Sequence, residues 1–248
     1  MKTLQTVIFK YKYKLKNVLE KIISCKEKLF LDAIFDTYID NSSRVNHILN
    51  LKIYDSVKNL IGKRDLPREK HFQKNEWWKK MLLRYGLAMH FSKGKNVLET
   101  CSGLGWGAYL LDDVAKSVSC IEIDRKSINL SKQLWQTNKT EYINGSILKI
   151  PVKDNIYEVV TAMESIEHLK LKDIKIYLSE IYRVLKRGGF LIGSSAFPDT
   201  MEEARVLCSK NRYHLYICTK REIKKLLREH NFNKIRIFHN KLFFIAKK

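Results

Sequence analysis

Asn96-Val97-Leu98-Glu99-Thr100-Cys101-Ser102-Gly103-Leu104-Gly105-Trp106-Gly107-Ala108 is the stretch that decides the fold. A short apolar run ends at the carboxylate of Glu99, the chain turns on glycines, and a helical segment follows. That order is the first βα corner of a nucleotide-binding α/β sheet, in which the ligand sits against the turn. Glycine is needed there because a missing Cβ permits positive φ and lets the backbone approach a ligand at contact distance. Gly103, Gly105 and Ala108 fit the spacing G-x-G-x-x-G/A, so the glycines by themselves leave a dinucleotide site open.

Working outward, Val118 to Asp124 reads as a second parallel strand and places Glu122 17 positions after Gly105. A carboxylate at that strand end can accept both hydroxyls of a ribose. Asp124, one pleat further on, is expected to cap a helix from Arg125 to Trp135. Tyr142 to Val152 supplies a third strand and its loop, and Ile156 to Met163 a fourth, entered through the turn residues Lys153-Asp154-Asn155. Asp173 to Lys186 is amphipathic, with Tyr177, Leu178, Ile181, Tyr182 and Leu185 inward, and Gly188-Gly189 reads as its left-handed cap. Phe190 to Ser194 is a strand, Thr219-Lys220-Arg221-Glu222 is a capping box, and the helix it opens stops near Asn231. Ile235 to Phe238 and Leu242 to Ile245, about a turn at Asn240-Lys241, form a hairpin. The expected fold class is α/β: a doubly wound, mostly parallel seven-stranded sheet with a C-terminal antiparallel hairpin and an N-terminal helical extension. The expected division is 1–75 for the basic helical extension and 76–248 for the cofactor-binding domain.

The corner, Glu122, Glu167-His168-Leu169, Leu185-Lys186-Arg187-Gly188-Gly189 and the final hairpin stand in one order that resembles class I S-adenosylmethionine-dependent methyltransferases. The resemblance is to their small-molecule, type 11-like branch and covers about residues 80 to 248. It implies S-adenosyl-L-methionine as cofactor and a Rossmann-like methyltransferase fold. By position, Glu99 holds the methionine end, Gly103 and Gly105 pass beneath the sulfonium and ribose, and Glu122 takes the ribose hydroxyls. Tyr85, beside Arg84, matches a lid residue of the preceding helix; Cys101, Ile123, Ser146, Ile147 and Met163 complete the implied cofactor set. Three positions depart from the family pattern. Cys101 replaces the usual first glycine, Ser146 replaces the acid that bonds the adenine amino group, and Glu158 stands for Asp in the fourth strand. His168 is the one histidine that sequence order places beside the cofactor, and a near-neutral imidazole suits removal of an acceptor's proton. A structural histidine bonded across the sheet edge is the competing reading. Ala196 to Cys218 is the insertion expected to meet the acceptor, through Arg205, Arg212, Tyr213, His214 and Tyr216.

The expected reaction is methyl transfer to a small-molecule, glycan or lipid-like acceptor, with RNA methylation or cofactor binding without transfer as alternatives. The charge motivates the RNA alternative: 47 Lys+Arg against 26 Asp+Glu give a net charge of +21, which attracts polyanions. Against nucleic-acid methylation, the fourth strand ends Met163-Glu164-Ser165-Ile166, not in the Asn/Asp-Pro-Pro-aromatic motif of adenine amino-methylases, and no Pro-Cys pair supplies a cytosine C5 nucleophile. Five scattered cysteines without a C-x-x-C pair indicate neither a disulfide framework nor a structural zinc site, and no metal is expected. That usage, with no apolar run approaching about 18 residues and lysines interrupting the first 20, points to a cytoplasmic protein. Leu4, Val7, Ile8, Tyr11, Leu15, Val18, Leu19, Ile22 and Ile23 recur at helical spacing among lysines. Such a helix can contact an anionic membrane or pack on the catalytic domain.

Overall fold

In the computed structural model, which describes residues 33–34, 36–40, 42–49, 76–238 and 243–248, Asn96–Thr100 forms β1, the strand on which the sheet is centred. Val97 and Leu98 are fully buried, as a parallel strand covered on both faces requires. β1 pairs in parallel with β2 (Ser117–Glu122) on one side and β4 (Tyr157–Met163) on the other. The sheet order is β3-β2-β1-β4-β5-β7-β6, with β3 at Thr140–Asn144, β5 at Leu185–Ser194, β6 at Asn233–Ile237 and β7 at Phe243–Lys247. β1 to β5 run parallel, and β7 pairs antiparallel with both β5 and β6. Strand order reverses between β1 and β4, and such a switch point opens a crevice at the carboxyl ends of the strands.

The chain divides into two compact units, Met1–His90 and Phe91–Lys248. In the first, a π-helical turn (Asp36–Asp40), α1 (Ser43–Leu49) and α2 (Glu76–Ser92) are described, and a Cβ on Gly86 would meet Ile39 and Ile34 at 3.1 and 3.2 Å. The N-terminal amphipathic stretch, the side chains of Trp77 and Trp78, and the Asn240-Lys241 turn lie outside the described residues. Among the described residues no helix is long and apolar enough to cross a membrane.

The helices of the second unit follow the sequence periodicity. α3 (Trp106–Asp112) continues the corner, and α4 (Arg125–Trp135) is capped by Asp124, which accepts from the amides of Lys126 and Ser127. α5 (Leu171–Val184) buries Ile174, Tyr177, Leu178, Ile181 and Val184, a one-sided stripe at helical spacing. α6 (Met201–Ser209) lies within the insertion, and α7 (Lys220–Glu229) opens on the Thr219–Glu222 capping box. The ending expected for α5 is corrected. Gly188 and Gly189 belong to β5, because Leu185 already pairs with Tyr157 and the register slips before Val159 meets Phe190. Gly188, at φ 80°, sits in that irregularity, and a Cβ on Gly189 would meet the carbonyls of Lys186 and Glu158 at 2.9 and 3.0 Å. The glycines serve a bulge in the strand, not a helix end.

Candidate active site

The carboxyl ends of β1 to β4 bring nearly all the expected site residues to one edge. Glu99 is buried on β1, Glu122 ends β2 with Ile123 next to it, Ser146 and Ile147 follow β3, and Met163 ends β4. His168 closes a 3-10 turn, Ile166–His168, directly after β4. Tyr85 is buried in α2, in the other unit.

The corner glycines do different jobs. Gly103, at φ 55°, has no atom within 4 Å of where a Cβ would stand, so its outer face is open to a ligand. Gly105, at φ 74°, is closed in: a Cβ there would meet Ser131 Cβ and Oγ at 2.8 Å and Tyr142 Oη at 2.9 Å. It lets β1 turn into α3 against α4 and β3. Trp135 Nε1 donates to the Leu104 carbonyl at 2.7 Å and pins the same corner from α4. Cys101 also holds a left-handed backbone, φ 54°, which explains why glycine suits that position.

Glu122 is set before any ligand arrives. Its Oε2 accepts from the Gly103 amide at 2.9 Å, and its Oε1 accepts from the amides of Ile123 and Asp124, both at 3.0 Å. Three backbone donors orient the carboxylate, whose other lone pairs can take two vicinal hydroxyls. Ile123 beside it is 71% exposed, an apolar surface on which an adenine ring can lie. Ser146 Oγ accepts from the Leu148 amide at 3.2 Å, so this hydroxyl stabilises its own loop in the place of the missing acid.

The field at the turn is acidic. The Cys101 thiol is pushed up to about 12, first by burial and then by the carboxylates of Glu122, Glu167 and Glu99. The side chain is nevertheless reached by solvent, which describes a residue on the wall of a concavity. Carboxylates around a concave corner suit a cation such as a sulfonium. The donor set, the open Gly103 face and the exposed Ile123 fit a sulfonium nucleoside.

The far side of the edge is built by contacts between the turn after β4 and the insertion. Tyr177 Oη bonds Thr100 Oγ1 and lies 3.4 Å from Ser165 Oγ, and Thr100 Oγ1 also donates to the Thr161 carbonyl at 2.7 Å. The Leu215 amide donates to the Glu167 carbonyl at 2.8 Å, and His168 Nδ1 lies 3.0 Å from the Tyr213 carbonyl. The rings of His168 and His214 meet edge to face with centroids 5.3 Å apart. Burial and the neighbouring His168 lower the pKa of His214, with Glu164 opposing. Of the insertion residues expected to meet an acceptor, Tyr213 and His214 thus reach the turn, whereas Arg205 and Arg212 are exposed. Sequence reasoning assigned Glu167 no role, and its adjacency to His168 was the available signal.

A seven-stranded sheet of this order, with an acid and an open glycine at the first corner and a second acid on the next strand, defines a Rossmann-like nucleoside-cofactor domain of methyltransferase topology. Residues 98–193 match the methyltransferase domain family. Among curated relatives, a probable S-adenosylmethionine-dependent methyltransferase of Mycolicibacterium smegmatis is 27% identical over 183 residues, 73% of this chain and 68% of that protein. The demethylmenaquinone methyltransferase of Oceanobacillus iheyensis is 27% identical, covering 60% of each chain. A fatty-acid O-methyltransferase of M. smegmatis is 29% identical over 47% of this chain and 45% of its own. The chain therefore spans less than two thirds of the last two relatives. In fold, a methyltransferase from Archaeoglobus fulgidus superposes with TM-score 0.58 at 15% identity, over 73% of this chain and 97% of that one. Residues 98–193 thus match a methyltransferase domain, and the curated relatives and the fold together support S-adenosyl-L-methionine as the cofactor of this domain.

Proposed function

We propose that this enzyme methylates a small, apolar, lipid-like acceptor bearing a nucleophilic oxygen. The observation that carries this reading is the surface of the insertion. Leu215 is 52% and Tyr213 47% exposed, on the segment hydrogen-bonded to the turn that carries Glu167 and His168, and Val206 and Met201 of α6 are exposed as well. Apolar side chains held in water beside an active site mark a surface that binds an apolar molecule. The names of two relatives, one acting on demethylmenaquinone and one on fatty acids, support the same class.

The cofactor supplies a methyl group activated by its sulfonium. The chain's residues align and shield. Glu122 is proposed to hold the ribose, Glu99 the methionine end, Ile123 and the Ser146–Ile147 loop the adenine, and the Gly103 backbone the underside. Met163 and Cys101 line the wall near the reacting centre. With Nδ1 committed to the Tyr213 carbonyl, His168 keeps its Nε2 lone pair for the proton that the acceptor oxygen loses.

The test is incubation with methyl-labelled cofactor and separated lipid, RNA and polar-metabolite fractions. Label in the lipid fraction is expected. Label in RNA would replace this reading with the one the charge invites, and tight cofactor binding with no labelled fraction would make the chain a binding protein.

A further inference from the structure

We propose that Glu167, His168 and His214 form a binding site for one divalent transition-metal cation, on the acceptor side of the cofactor edge. Each offers one ligand atom, and these atoms lie within 4.8 Å of one another. A tetrahedral cation with bonds of about 2.0–2.2 Å needs its donors roughly 3.5 Å apart. The donors would draw together by about an ångström on binding.

Backbone contacts of the insertion hold the three residues together. Glu167 is buried, yet its carbonyl accepts from the Leu215 amide and, at 3.3 Å, from that of Tyr216, which fixes the insertion over it. His168 bonds a backbone carbonyl through Nδ1, the outer-shell contact that sets the tautomer of metal-ligating imidazoles and turns Nε2 toward the metal. His214 Nε2 accepts from Asn211 Nδ2 at 3.0 Å, the amide being oriented by the Tyr213 N–H on its Oδ1, so the buried Nδ1, without a hydrogen-bond partner in the protein, carries the ring proton that a bound cation would displace. A buried ring nitrogen left without a partner is costly unless something binds it.

Two imidazoles and one carboxylate select cations such as Zn²⁺, Co²⁺ or Fe²⁺ over Ca²⁺ and Mg²⁺, which take all-oxygen shells. Three protein ligands leave a coordination position open, as catalytic sites do. Glu167 and His168 stand in the turn directly after β4, at the same sheet edge as the cofactor corner. There a cation would hold the acceptor's oxygen and acidify it, the released proton passing to solvent. The inference rests on the oxygen-acceptor reading for this role, but not for the existence of the site; it gives the Nε2 lone pair of His168 to the metal in place of the proton.

The experiment uses the full chain, stripped with a chelator and titrated with Co²⁺ under visible spectroscopy, with equilibrium dialysis for stoichiometry. One Co²⁺ per chain, with ligand-field bands displaced by Zn²⁺, is expected. His214→Ala and Glu167→Gln should each weaken Co²⁺ binding at least about 100-fold, whereas His230→Ala should not change it. Circular dichroism reports folding, and His168→Gln serves if His214→Ala does not fold. Absence of saturable Co²⁺ uptake, or unchanged affinity in these variants, overturns the site. S-adenosylmethionine titrated into the same metal-free sample separates the two questions: if the nucleoside binds while Co²⁺ is not taken up, only the cation is refuted, and failure of both strikes the cofactor reading as well.

Discussion

Replacing Cys101 with glycine should stabilise the protein, an unusual direction for a substitution at an active site. Cys101 holds φ 54°, in the left-handed region, where an L side chain crowds its own backbone. That conformation costs about 1–2 kcal/mol for a residue with a Cβ. Glycine removes the strain but adds flexibility to the unfolded chain, which offsets about 0.4–1 kcal/mol. The thiol contributes little in return, since it is exposed to solvent. The net expectation for Cys101→Gly is therefore a gain of about 0.5–1 kcal/mol, a rise of roughly 2–4 °C in Tm for a domain of this size. Guanidinium unfolding gives the free energy and calorimetric melting the midpoint, with Cys101→Ala as a control that removes the thiol and keeps the strain. Cys101→Gly should also bind cofactor at least as well as the parent. A loss of 1 kcal/mol or more in Cys101→Gly, with Cys101→Ala unchanged, would show that the corner is not strained and would refute the reasoning.

The remaining expectations concern the frame around that corner. Gly105→Ala should lose about 3 kcal/mol, from left-handed strain plus a methyl driven into Ser131 and Tyr142, whereas Gly103→Ala should lose about 1–2 kcal/mol but weaken cofactor binding disproportionately; denaturant melts and cofactor titrations of both variants test the contrast. Asp124→Ala should lower stability by about 1 kcal/mol through loss of the α4 cap, and an unchanged melting curve would deny the cap its part. The Arg183 fork, bonded to Glu180 Oε1 at 2.8 Å, holds the Glu180 carboxyl below its ordinary range, burial working the other way. A depressed folded pKa gives stability that is present above about 4.5 and lost as pH falls through the folded value. Glu180→Gln should therefore be less stable than the parent at pH 7, by about 1 kcal/mol after discounting for partial exposure, and the gap should narrow as the pH falls below about 4.5.

Much of this architecture is legible in the sequence where a local rule decides it. The corner is set by Glu99 and two glycines, the α4 cap by Asp124, and the α7 start by Thr219 and Glu222, each within a few residues of its partner. Gly188-Gly189 misled because a left-handed glycine after an amphipathic run satisfies both a helix cap and a strand bulge. Only the pairing of Leu185 with Tyr157 tells them apart. The approach of His214 to Glu167 and His168 is not legible for a similar reason: it depends on the path of the insertion back over the sheet edge, fixed by amide contacts that no pattern announces. The two roles of Gly103 and Gly105 are likewise hidden in the spacing, since both have positive φ and only packing distinguishes the open face from the closed one.

The central claim is that Glu122, held by three backbone amides, grips the ribose of a sulfonium nucleoside at the carboxyl ends of the first two strands. Calorimetric titration of S-adenosyl-L-methionine into the parent and Glu122→Ala tests it most directly. Saturable one-site binding is predicted for the parent, weakened by about 2–4 kcal/mol in the variant as charged hydrogen bonds to two hydroxyls are lost. Equal affinity in the two proteins would contradict the account.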